Sequence, residues 1–258
     1  MKIQLWSDLH LNWPVGINTL IVMALEADVL VIAGDMTTGP LAARAALGRL
    51  RQETSIPIIY VLGNHEFYGW SLDIVREYRQ AVAQVPDVHL LERDALALNG
   101  VRFLGATLWT DLDNGECAQS AALWMNDFNY IRTETGLLTS RRYMQEHELA
   151  TRWLVSELEK PTDYSMTVIV THHAPTWNAV PPKFGFDEVN GAFFSHLDDV
   201  IMRYAPHYWL FGHTHCSVNM CLGNTRLIAN PYGYPHELDT GFRQSLVIDT
   251  EDMWPERK

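Results

Sequence analysis

The chain has 258 residues, 47% of them hydrophobic, which is enough to bury a large core. Its 31 acidic against 19 basic side chains give a formal charge of −12, a sign that repels polyanions and argues against long nucleic acid as a partner. The cysteines Cys117, Cys216 and Cys221 are too few and scattered for a disulfide framework, and no apolar run has membrane length, so a soluble, cytoplasmic protein is expected.

The first strand candidate, Ile3–Trp6, runs into Asp8 too early for a signal-like apolar region to form. Val29–Ala33 and Ile58–Leu62 are further aliphatic, β-branched runs of the buried-strand kind. Helical patterns follow each of these two, from Pro40 to Glu53 with proline near the first turn, and from Trp70 to Gln84, stopping before Pro86. This alternation predicts a parallel βαβ core. Ala95–Leu98 and Val101–Ala106 then flank Asn99-Gly100, the mark of a tight hairpin. From about residue 111 to 160 the strand pattern gives way to helical segments. The clearest runs from Ser140 to Lys160, with Tyr143, His147, Ala150, Leu154 and Leu158 on one stripe. That stretch is expected to be a helical cap or insertion within a single domain. Thr167–Thr171 and Tyr208–Phe211 are later buried strands, and a second hairpin turns at Gly223-Asn224 between Ser217–Cys221 and Thr225–Ala229. The expected class is therefore α/β with mixed sheets.

Five polar blocks follow predicted strands directly: Asp8-x-His10, Gly34-Asp35, Gly63-Asn64-His65-Glu66, Thr171-His172-His173 and Gly212-His213-Thr214-His215. In an open α/β sheet ligands bind outside the carboxyl ends of the strands, so the blocks are expected to converge. If the backbone is extended there, the i, i+2 spacing puts Asp8 beside His10 and His213 beside His215 on one side. Gly34, Gly63 and Gly212 permit unusual backbone angles or close approach where a polar ligand must turn inward. Two carboxylates, four imidazoles and one amide form a mixed oxygen and nitrogen set suited to manganese, iron, zinc or cobalt, with no thiolate to favour softer metals. Singly each block is common. As an accumulation of buried polar strand ends without a shared purpose, the set would be costly.

The five blocks resemble the signature of the calcineurin-like metallophosphoesterase superfamily across Asp8 to His215, most of the chain. The resemblance implies a four-layer α/β/β/α sandwich and two divalent or trivalent transition-metal ions. Asp8, His10, Asp35 and His215 would hold one ion, and Asp35, Asn64, His172 and His213 the other, with Asp35 bridging. By the same resemblance His65 is a catalytic residue near the leaving-group oxygen, and Glu66, where many relatives have aspartate, is expected to join it in the catalytic pair. It also favours His172 over its neighbour His173 as the ligand, although adjacent side chains of an extended chain face opposite ways.

The implied reaction is hydrolysis of a phosphate ester. A water shared by ions roughly 3.5–4 Å apart has its pKa lowered toward about 7, supplying a bridging hydroxide for in-line attack. The substrate is expected to be a small phosphodiester or nucleotide, since no basic track exists for a polymer. Phosphomonoester hydrolysis, on a small molecule or a phosphoprotein, is the alternative, and a non-catalytic scaffold of the same fold is a more distant one. Candidate substrate contacts are Ala174–Asn178 through Lys183-Phe184, Arg141 and Arg142, and the tyrosines of Asn230–Tyr234.

Overall fold

The computed structural model describes residues 1–12, 27–181, 185, 187–237 and 239–252. Lys183 and Phe184 lie outside them. The first sheet is built from β1 (Lys2–Trp6), β2 (Val29–Ala33), β3 (Ile58–Val61) and β4 (Val88–Leu90), all parallel neighbours in that order. Helix α1 (Pro40–Glu53) links β2 to β3, and α2 (Val75–Val82) lies between β3 and β4. Alternate residues of these strands face opposite layers, as the period of two requires. Leu30, Ile32, Ile58 and Tyr60 pack with Leu47 and Leu50 of α1 and Tyr78 and Val82 of α2.

The other face of that sheet, carrying Ile3, Leu5, Val29, Val31, Ile59 and Val61, meets Phe103, Val168, Val170, Tyr208 and Leu210 of a second sheet. Its hairpin β5 (Asp94–Leu98) and β6 (Val101–Ala106) turns on Asn99 and Gly100, both left-handed with φ 49° and 79°, as a mirror-type two-residue turn needs. After β6 come α3 (Ala118–Trp124), α4 (Asp127–Tyr130), the two-residue pair β7 (Arg132–Thr133) and β8 (Gly136–Leu137), and α5 (Ser140–Leu158). The second sheet resumes with β9 (Met166–Thr171), parallel to β6. Helix α6 (Asp198–Tyr204) precedes β10 (Tyr208–Phe211), and β11 (Val218–Leu222) and β12 (Thr225–Ala229) form the second hairpin. The sheet order is β11-β12-β10-β9-β6-β5. A last strand, β13 (Val247–Asp249), adds antiparallel to β1 at the edge of the first sheet.

The outer face of the second sheet, with Leu104, Ile169, Trp209 and Phe211, is covered by Ala150 and Leu154 of α5 and Ile201 of α6. The four layers are thus helix, sheet, sheet and helix. Part of the stretch expected as a cap therefore belongs to the sandwich, because α5 forms the fourth layer. It is the shorter α3–α4 segment that reaches the strand ends. Among the described residues no helix is long and apolar enough to cross a membrane.

Candidate metal centre

All five blocks sit where parallel strands end, and the two sheets bring them to one place. Asp8 and His10 follow β1, Asp35 follows β2, Asn64 and His65 follow β3, His172 follows β9, and His213 and His215 follow β10. The backbone there departs from the extended form expected. Asp8, His10, Asp35, His213 and His215 are all left-handed, with φ of 54°, 44°, 52°, 67° and 45°. A non-glycine residue held there costs of order 1–3 kcal/mol, and such strain concentrates at functional sites. The pairs at i, i+2 meet through left-handed turns and not by strand alternation.

Close approach accounts for two of the glycines. A Cβ on Gly63 would lie 2.1 Å from Asp35 Oδ1, and one on Gly34 would lie 2.3 Å from His172 Nδ1. Any side chain at either position would push on a putting-in-place contact of the site, so glycine is required by space as well as by φ at Gly34, 86°.

Among the described residues three overlapping groups have ligand atoms within 4.8 Å of one another: Asp8, His10 and His215; His10, Asp35 and His65; and Asp35, His172 and His213. The Nε2 atoms of His10 and His215 face each other at 3.1 Å, and His213 Nδ1 lies 3.2 Å from His172 Nε2. His172 Nε2 is 3.4 Å from Asp35 Oδ1 and 3.0 Å from Asn64 Oδ1. His172 Nδ1 donates to the Ala33 carbonyl at 2.9 Å, which makes Nε2 the nitrogen that offers its lone pair inward once a cation displaces its proton. His173 goes the other way, with Nδ1 on the Thr107 carbonyl and Nε2 3.2 Å from the Tyr143 hydroxyl. His213 Nε2 is buried without a hydrogen-bond partner. Imidazole nitrogens set this close to one another and to the Asp35 carboxylate, with no hydrogen shared among them to satisfy every pair, fit transition-metal ions, which this donor set prefers.

The charges agree with that fit. Burial opposes ionisation of Asp35, yet His172, His65 and His10 hold its carboxyl well below the usual carboxylate range. Burial likewise opposes charge on His172 and His215, but Asp35 and Asp8 raise the first to about 9, and Asp8 with Glu237 raises the second to about 10. Both imidazoles are set to exchange a proton for a cation. His173, buried among other histidines, is pushed down to about 3.

His65 stands at the edge of this cluster. Its backbone N–H donates to Asp35 Oδ1 at 2.9 Å, and its Nε2 lies 3.8 Å from Asp35 Oδ2 and 2.9 Å from the Tyr234 hydroxyl. Tyr68 stacks on the His65 ring at 4.3 Å. Glu66, expected beside His65 in the chemistry, instead turns into the core and is fully buried. Its oxygens accept from the backbone N–H groups of Gly63 (2.8 Å), Asp35 (3.0 Å), Met36 (2.7 Å) and Thr37 (3.3 Å), and from the Tyr60 hydroxyl (2.7 Å). Burial and nearby Asp35 push its carboxyl up to about 7, against the donors that hold it ionised.

The cluster opens into a cavity of about 300 Å³ lined by His65, Tyr68, Trp124, Met125, Asn126, Phe193 and Tyr234, among others. An adjoining hollow of about 480 Å³ shares His65, Tyr68, Asn126 and Tyr234 and adds Tyr130 and His236. Of the expected substrate contacts, Tyr234 is here. Arg142 pairs with Glu146 on its own helix, and Trp177 packs against Phe194 and His196. Neither they nor Arg141 line these cavities. Tyr68, Asp127, Phe193 and Glu237 are among the residues at the site that had no place among the expected ones. Glu237 Oε2 lies 2.6 Å from His215 Nδ1, fixing that ring as His172 is fixed by Ala33. Asp127 is fully buried and accepts from Asn64 Nδ2 at 2.8 Å and the Tyr68 hydroxyl at 2.7 Å.

A model of the calcineurin-like phosphoesterase family matches residues 1–217, and the chain belongs to that family, and so to the metal-dependent phosphoester hydrolases. A protein of Acanthamoeba polyphaga mimivirus, itself described as uncharacterized, is 24% identical over 213 residues, 76% of this chain and 74% of its own. Phosphopantetheinyl hydrolase from Mycobacterium tuberculosis superposes with a TM-score of 0.73 at 18% identity, covering 91% of this chain and 90% of that one. The protein TT1561 of Thermus thermophilus gives 0.52 at 16% identity, covering 89% and 88%. At these identities the two structures share the fold.

Proposed function

We propose that the chain hydrolyses a small phosphodiester or nucleotide at a centre of two metal ions. The observation that carries the reading is the pair of ligand groups joined through Asp35: Asp8, His10 and His215 on one side, His172, His213 and the Asn64 amide on the other. Bound there, such ions polarise phosphoryl oxygens and lower the pKa of a water toward about 7. The chain's own part is to hold and to donate. His65, fixed by Tyr68 stacking and by the Tyr234 hydroxyl, keeps Nε2 at the mouth of the cluster, where a protonated imidazole can donate to the departing oxygen. Glu66 acts at one remove, by pinning the loops of Asp35 and Gly63.

The leaving group is read from the wall of the cavity. No lysine or arginine is among the described residues that line either hollow, while Trp124 and Tyr130 are 71% and 53% exposed at their edges. A planar or apolar, uncharged group suits such a wall better than a second phosphate does. A phosphopantetheinyl ester, the substrate class named for the fold relative, belongs in the same panel.

The test is purified protein loaded separately with manganese, iron, zinc or cobalt and assayed on a nitrophenyl monoester, its diester, nucleotides, cyclic nucleotides, a phosphopantetheinyl diester and glycerol phosphate. About two ions per chain and chelator-sensitive turnover, with the diesters or nucleotides preferred over glycerol phosphate, are expected. Undiminished hydrolysis by metal-free protein would sink the metal reading, and turnover confined to the nitrophenyl monoester and glycerol phosphate would overturn the substrate reading.

A further inference from the structure

Asn64 poses a chemical problem that the strand-end blocks do not solve. An amide presents either an oxygen acceptor or two N–H donors, and only the oxygen can ligate a cation. Something must hold the nitrogen end away from the cluster. Among the described residues a buried carboxylate, Asp127, meets that end. Its Oδ1 takes hydrogen bonds from Asn64 Nδ2 at 2.8 Å and from the Tyr68 hydroxyl at 2.7 Å, and the Tyr68 oxygen, held by that bond, also accepts from Asn64 Nδ2 at 3.1 Å. With Nδ2 engaged on that side, Asn64 Oδ1 faces His172 Nε2 at 3.0 Å. Asp127 is wholly buried, carries no cationic partner among the described residues, and its Oδ2 has no hydrogen bond. A carboxylate in that condition is costly, and packing gives no reason for it. It comes from α4, in the stretch of chain that links β6 to β9, next in sequence to Met125 and Asn126 of the cavity wall.

We infer that Asp127 is a positioning residue of the metal centre, holding the Asn64 amide with its oxygen toward the cluster and tying the α3–α4 segment to the ligand set. The inference rests on the reading of Asn64 as a ligand. Leucine at position 127, close in shape to aspartate, removes the acceptor outright and leaves the ligand amide free to rotate. Loss of such a supporting contact lowers metal affinity roughly 10- to 100-fold.

Cobalt(II), displaced competitively by a chromophoric chelator and followed by its visible absorption, is the probe. For Asp127→Leu, one of two cobalt affinities is expected to fall roughly 10- to 100-fold while the other stays. In Asn64→Asp/Asp127→Asn the donor and acceptor are exchanged: the new carboxylate has oxygen on both sides and the new amide donates to it. Affinity at that ion is expected to return to the parent level or above, a recovery that a merely structural role would not give. Asn64→Ala sets the floor. Parent-like cobalt binding in Asp127→Leu, or a double variant no better than Asn64→Ala, overturns the inference while leaving the metal reading intact. A parent protein that binds no cobalt overturns both. If Asp127→Leu alone does not fold, the double variant measured against the parent and Asn64→Ala decides.

Discussion

Glu66→Gln separates a residue that positions from one that reacts. The carboxylate takes five donors, with Gly63 N and Asp35 N on Oε2 and Met36 N, Thr37 N and the Tyr60 hydroxyl on Oε1. An amide keeps one oxygen, so whichever way it turns its NH₂ faces at least two of these donors. Each buried donor left unsatisfied costs about 1–3 kcal/mol, so the substitution is expected to cost about 2–6 kcal/mol. That is a large share of the roughly 5–15 kcal/mol that holds a protein folded. Urea unfolding of the metal-free protein, followed by tryptophan fluorescence at pH 8, is expected to show the midpoint lowered by on the order of 1 M. This pH lies above the value of about 7 to which burial and Asp35 push the Glu66 carboxyl. An unchanged midpoint together with lost turnover would refute the reasoning and return Glu66 to the chemistry.

His65→Ala is expected to bind the same number of ions as the parent and to lose about 10²- to 10⁴-fold in turnover, checked by metal analysis and steady-state kinetics; parent-like turnover removes His65 from proton donation. Gly63→Ala puts a Cβ 2.1 Å from Asp35 Oδ1 and 2.5 Å from its backbone nitrogen, neither free to yield, so about 1–3 kcal/mol of stability and much of the gain in melting temperature on adding metal are expected to go. His147 is buried on α5 with Nδ1 donating to the carbonyls of Leu108 and Trp109, and burial lowers its pKa below the ordinary 6.5. The unfolded chain therefore takes up this proton first. The stability His147 contributes is full above about pH 6.5 and is lost as pH falls from there toward the folded value. His147→Gln is expected to flatten the fall in urea midpoint between pH 7 and 5, by at most about 1.4 kcal/mol per pH unit; an unaltered slope would mean the proton is taken up elsewhere.

The central strands were legible because they are buried on both faces, whereas the four-layer sandwich was implied by the family resemblance alone. Runs such as Val29–Ala33 and Tyr208–Phe211 are apolar at every position, a pattern that hardly any other local structure needs. Pro40–Glu53 was legible from its proline start and apolar spacing. Trp70–Gln84 was only partly so, since its first residues form the turn Leu72–Ile74 before α2 begins at Val75. The edge strand Val247–Asp249 has three residues and one buried side chain, too little pattern to register. In the stretch from 111 to 160, composition announced helices without saying which layer they would join. Burial of Ala150 and Leu154 against the second sheet decides that for α5.

At the site, residue type carried the ligands and backbone geometry escaped. Asp8, His10, Asp35, His213 and His215 could be named from their neighbours along the chain, but their left-handed turns are imposed by the meeting of two sheets. Tyr68 had a readable signal in its position four residues after Asn64, on the turn that begins at His65. Asp127 and Glu237 had none: each is an ordinary acid until the fold sets it against Asn64 or His215. The difference is physical. A ligand block needs a strand end and so announces itself beside one, whereas a supporting acceptor needs only to arrive, from any element. Here the supports come from α4 and the loop after β12, which also line the cavity mouth. Changes in those segments that alter the leaving group are therefore expected to alter metal affinity too, and a panel that scores both quantities for each variant exposes that coupling.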